Sequence, residues 1–198
     1  KTASKEFLTK RLETRYFRPI NAIKRMKVPS GQGFAIVAIL CSLIEFLQTL
    51  RDGTVFINKF KFSTFDGKKK IKYAELIDPA NPRKIKDEEL HRYGDGFSRA
   101  IFEEFFKVEE FKCLSSEDRD FYGKIRWAIL HNAMVEEPWV IRVHRKGDSS
   151  VHQRDLVKDK DGRLILYRDE LVRRLQQYID QYCQDLLTDQ ALQAAFIR

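Results

Sequence analysis

Arg126 and His131 lie within the segment Asp120-Phe-Tyr-Gly-Lys-Ile-Arg-Trp-Ala-Ile-Leu-His-Asn-Ala133. An arginine and a histidine are enough to cut RNA without a metal. The 2′-hydroxyl of RNA attacks its own adjacent phosphate, so the protein has to take that hydroxyl's proton and stabilise the phosphorane. Histidine suits the first task because it titrates near neutrality. Arginine suits the second because its planar fork donates paired hydrogen bonds to phosphate oxygens and stays charged. Asn132 adds a donor, and Tyr122 sits one helical turn before Arg126. Arg126, His131, Asn132 and Tyr122 are therefore the candidate catalytic set. The competing reading is architectural, with the histidine hydrogen-bonded to a carbonyl and the arginine in an ion pair. On a regular helix, residues five apart point about 140° away from each other. A working site then needs a long reach by Arg126, a distorted helix, or a second copy. A symmetric dimer across residues 116–136 would set two Arg–His pairs around one cleft.

The elements that position this segment read as mainly helical. Leu8, Leu12, Tyr16, Ile20 and Ile23 keep helical spacing over residues 5–26, with an interruption expected at Pro19. Phe34 to Leu50 is the most apolar stretch. It gains polar residues toward its end and falls short of the roughly 20 apolar residues of a bilayer span, so a central core helix is expected rather than a membrane anchor. Phe97, Ile101, Phe102, Phe105 and Phe106 form a core stripe on a helix over Phe97–Phe111. Ser115 or Ser116 is expected to cap the next helix, which carries Arg126 and His131 and stops at Pro138. Trp139–His144 and Arg163–Tyr167 read as two strands of a hairpin-like insertion over 139–167. A last helix is expected from Asp169 to about Thr188. The sum is a single helical domain over 1–198. It is a four- to five-helix bundle with a long basic loop over 53–95 and a small two-stranded β excursion. A short helix is expected within the basic loop, near Asp87–Tyr93.

Charge narrows the partners. The formal net charge is +8, and the segment from Arg51 to Lys86 holds ten Lys/Arg against four Asp/Glu. One segment thus carries most of the positive field, which favours polyanions. Within it Lys59, Lys61, Lys68, Lys69, Lys70 and Lys72 interleave with Phe60, Phe62, Phe65 and Tyr73, a mixture that neutralises backbone and stacks bases. These six lysines are the candidate nucleic-acid contacts; the plainer reading is a solvated loop. Three cysteines, far apart and odd in number, speak against a disulfide framework and for a reducing, cytoplasmic setting. The four histidines show no metal-ligand spacing, so neither a metal nor a cofactor is expected. The chain begins at Lys1, which reads as a trimmed or processed start.

The run Ile125-Arg-Trp-Ala-Ile-Leu-His-Asn132 resembles the Arg-x(4–6)-His motif of the HEPN superfamily. These are small helical domains of prokaryotic toxins, abortive-infection systems and CRISPR-associated ribonucleases. The resemblance implies a helical bundle that dimerises and a metal-independent RNA endonuclease leaving 2′,3′-cyclic phosphate ends. Arg126 then matches the motif arginine and His131 the motif histidine, with RNA, a second copy and an antitoxin or defence partner as the expected associates. Where HEPN nucleases usually carry a polar residue after the arginine, this chain has Trp127. The alternative in another class is a non-catalytic helical module that binds nucleic acid or protein.

Overall fold

The computed structural model describes residues 2–26, 30–53, 55–57, 90–92, 97–115, 119–144 and 155–197. Helices α1 (Thr2–Leu12) and α2 (Arg18–Arg25) are joined by a π-helical turn, Glu13–Phe17. Pro19 lacks an N–H, and its ring crowds the carbonyl four residues back. The widened turn accommodates this, because the Arg18 N–H reaches back to the Glu13 carbonyl. The interruption expected at Pro19 is thus a local widening in an otherwise continuous helical run.

Helix α3 (Gln32–Asp52) is the centre of the fold. At 21 residues it is longer than the apolar spacing predicts. By length and composition alone it is sufficient to cross a membrane, with mean hydropathy 2.0 over its most apolar stretch. Half of that stretch is buried inside the protein, where Ile36, Val37, Leu40, Leu43, Ile44 and Leu47 are completely enclosed. Gly53 ends the helix in a left-handed conformation (φ 65°), and a Cβ there would stand 2.8 Å from the Ala195 backbone. Both the backbone and the close approach require glycine.

Strand β1 (Val55–Ile57) pairs in parallel with β2 (Leu90–Arg92). The helix expected near Asp87–Tyr93 is therefore replaced by a strand over its described residues. Lys59, Lys61, Lys68, Lys69, Lys70 and Lys72 lie outside the described residues.

Helix α4 (Phe97–Phe105) ends earlier than expected and is followed by a 3-10 helix, Glu109–Leu114. The tighter turns fold Phe111 back onto Phe105, with ring centroids 4.9 Å apart. The aromatic stripe is core as expected. Phe102 and Phe105 are fully enclosed, and Phe121 joins Phe102, Phe106 and Trp139 in one ring cluster. A π-helical turn, Tyr122–Trp127, then runs into helix α5 (Ala128–Asn132).

Strands β3 (Trp139–Arg142), β4 (Val157–Lys160) and β5 (Arg163–Tyr167) make a mixed sheet of order β3-β5-β4. This corrects the two-stranded expectation. β3 and β5 are parallel, and the hairpin is β4–β5, turned at Asp161-Gly162 with both residues at positive φ. Helix α6 (Arg168–Thr188) follows β5 directly, and α7 (Gln190–Ile197) comes after Asp189, whose carboxylate accepts the Leu192 N–H. Helix α7 lies beyond the last helix expected from the sequence. One hydrophobic core unites α1, α2, α3, α4, α6 and the inner face of the mixed sheet. The fold is mainly helical with a small three-stranded sheet.

Candidate functional site around Arg126 and His131

The described part of the segment carrying the candidate residues is capped by Asp120, and Ser116 lies outside the described residues. The Asp120 carboxylate accepts the Gly123 N–H at 3.1 Å and pairs with Arg99 at 2.7 Å. Burial pushes the Asp120 carboxyl up, but the bond from Arg99 and that from the Gly123 N–H together bring it below the ordinary aspartate range. A Cβ on Gly123 would meet the Asp120 carboxylate at 2.3 Å, so the cap depends on glycine. Ser115 instead donates to the Lys112 carbonyl at the end of the 3-10 helix. The helical run spans 121–132, shorter than the expected 116–136 over its described residues. It ends because Ala133 turns left-handed (φ 55°), ahead of Pro138.

Arg126 points inward. Its Nη2 donates to Glu45 Oε1 of α3 at 2.8 Å, with side-chain exposures of 14% and 18%. Its guanidinium carbon lies 5.3 Å from the centroid of the Tyr122 ring, which Arg99 also approaches, at 4.9 Å. Tyr122 is thus an aromatic surface for two guanidinium groups. Burial raises the Glu45 carboxyl above the ordinary glutamate range, and this outweighs the lowering by Arg126 and by the hydroxyl of Ser98. A guanidinium has five N–H donors, and Arg126 uses one on Glu45 and one, at 3.5 Å, on the Tyr122 hydroxyl.

His131 points outward. It is exposed, and its ring lies tilted against Trp127 with centroids 4.8 Å apart and planes 35° apart. Trp127 is 44% exposed and Leu130 is 52% exposed; Met134, just past the left-handed turn, is 51% exposed. Trp127, Leu130 and His131 share one helical face by their i, i+3, i+4 spacing. Asn132 is exposed beside them. Within one copy the four candidates therefore divide: Arg126 and Tyr122 form a partly buried cluster with Glu45, Arg99 and Asp120, while His131 and Asn132 stand on the surface. The π-helical turn ends at Trp127, so the interval from Arg126 to His131 is mostly ordinary helix and keeps the two side chains apart.

Sequence reasoning missed Glu45, Ser98, Arg99 and Asp120. Glu45 gave the only available signal, a carboxylate within the most apolar helix, which needs a partner. Among the described residues no group of three or more His, Cys, Asp or Glu side chains converges on a metal-sized site. No protein-family profile, curated protein or solved structure matches the chain.

Proposed function

We propose that this chain is a metal-independent endoribonuclease of the HEPN type, acting in a prokaryotic defence or toxin system and paired as a dimer across residues 121–134. The observation that carries the reading is the setting of His131. It stands exposed on a helical face whose other members, Trp127 and Leu130, are large, apolar and open to solvent, with Met134 adjoining. Such apolar groups together mark an association surface, and a two-fold pairing on it would bring His131 from each copy to one cleft. In that cleft one His131 takes the proton of the 2′-hydroxyl as its oxygen bonds to phosphorus, and the P–O5′ bond breaks with the 5′-oxygen taking a proton from the protonated His131 of the second copy. Arg126, anchored by Glu45 and Tyr122, turns its remaining N–H donors to the phosphorane. Asn132 holds a phosphate or ribose oxygen.

A second reading, a non-catalytic module docking through the same face, is favoured by the internal engagement of Arg126 with Glu45. Cleavage separates the two. Purified protein is expected to cut single-stranded RNA in EDTA and leave 2′,3′-cyclic phosphate ends. His131→Ala should abolish cutting with an unchanged melting temperature. Cleavage that requires a metal, or that survives His131→Ala, overturns the ribonuclease reading. Leu130→Asp is expected to convert a dimer to a monomer by sedimentation and to abolish cutting with it.

A further inference from the structure

The outer face of the mixed sheet gathers cations that no described carboxylate neutralises. Register sets Val140 and Arg142 beside Ile165 and Tyr167, and Lys158 and Lys160 beside Ile165 and Arg163. Residues paired across a ladder share a face, as do alternate residues along a strand. Arg142, Lys158, Lys160 and Arg163 therefore stand together around Val140 and Ile165. Trp139, Leu164 and Leu166 take the opposite face and enter the core. Strand parity sends Asp159 to that opposite face as well. A shallow open cavity of about 390 Å³ is lined by Val140, Arg142, Lys160, Asp161, Arg163 and Ile165.

All four cations are exposed, and among the described residues none has an ion-pair or hydrogen-bond partner. Lys24, Arg99, Arg126 and Arg174, by contrast, are each paired with a carboxylate. Asp161 is the one carboxylate in the lining. Alternate residues on a strand are about 6.6 Å apart, so the cations form a spaced array rather than one focus. Among the described residues no buried polar side chain closes around the cavity, which disfavours a single small anion. The aliphatic floor is recessed and the rim is cationic, which disfavours insertion into a membrane. Tyr167, at the end of this face, is already covered by His144, stacked at 3.7 Å with planes 12° apart. Base stacking on it is therefore not on offer.

We propose that this sheet face binds the phosphate backbone of single-stranded RNA without sequence preference, as a contact separate from Arg126 and His131. The choice of RNA rests on the ribonuclease reading; the backbone affinity does not.

The test uses labelled oligothymidylate, which has no 2′-hydroxyl to attack and so reports binding even if the chain cuts nothing, alongside oligouridylate. Fluorescence anisotropy across a salt series is expected to give similar slopes of log affinity against log salt for both. Replacing Arg142, Lys160 and Arg163 together by Ala should lower the affinity and flatten the slope by about 2, at roughly 0.7 for each phosphate left without its cation. Asp161→Asn, which keeps the turn because asparagine tolerates left-handed backbone, should tighten binding a few-fold. The proposal is overturned if neither variant changes affinity or slope. It is equally overturned if inorganic phosphate displaces the oligonucleotide where chloride of equal ionic strength does not. Binding to phosphatidylserine vesicles without binding to either oligonucleotide overturns it too.

Discussion

Glu170 and Glu45 are both withdrawn from water and both bound to arginine, yet their carboxyls move in opposite directions. Glu170, only 1% exposed, receives Arg173 through Nε and Nη2 and Arg174 through Nε. Burial pushes its carboxyl up, but the two guanidiniums outweigh burial and hold it below the ordinary glutamate range. Glu45 receives one bond from Arg126 and one from Ser98, and burial wins. The first site is local, built from i, i+3 and i, i+4 neighbours on α6. The second spans 81 residues of chain and leaves Arg126 with unused donors. A buried pair is weak evidence for stability, and an under-bonded one with free guanidinium donors fits an arginine kept for another partner.

The contrast can be broken by mutation. Glu170→Gln is expected to cost about 3 kcal/mol, because it strips a saturated buried carboxylate from two arginines. Gly123→Ala should cost about 2 kcal/mol by driving a methyl into the Asp120 carboxylate and undoing the cap. Glu45→Gln should cost only about 1 kcal/mol, since the amide keeps an acceptor for Arg126 and removes a charge that burial already opposes. Urea denaturation orders the three. Equal losses for Glu170→Gln and Glu45→Gln would erase the distinction.

pH sharpens it. The depressed carboxyl of Glu170 adds stability that is present above the unfolded glutamate value of about 4.3 and is lost as pH falls through the folded value. The raised carboxyl of Glu45 has the opposite sign. Its cost is absent in acid and grows as pH rises from about 4.3 through the folded value. Denaturation midpoints of Glu45→Gln should therefore decline less than wild type between acid and neutral pH, and those of Glu170→Gln should fall less steeply in acid. The smallest effect concerns the end of the same helical run. Ala133→Gly removes a left-handed alanine and should stabilise by about 1 kcal/mol.

Much of the frame was legible because burial leaves a local pattern. The apolar run within α3, the phenylalanine stripe of α4 and the face of α6 from Leu171 to Leu186 all declared themselves by spacing. Strand β4 did not, because Lys158, Asp159 and Lys160 show no hydrophobic alternation and the strand forms only through pairing with β5. The π-helical turn before Pro19 was hidden since helical spacing continues through it. At the candidate site the residue types were legible and their directions were not. Whether Arg126 turns inward depends on Glu45 of α3, and no local spacing encodes that contact.

The decisive measurement is single-turnover cleavage of single-stranded RNA in EDTA by Arg126→Lys, with its melting temperature recorded beside wild type. Lysine keeps the charge and the ion pair with Glu45 but loses the planar fork. If Arg126 serves a phosphate, the rate should fall by about 100-fold or more while the melting temperature holds. An active wild type matched by an equally active Arg126→Lys would contradict that role and leave Arg126 as a structural partner of Glu45.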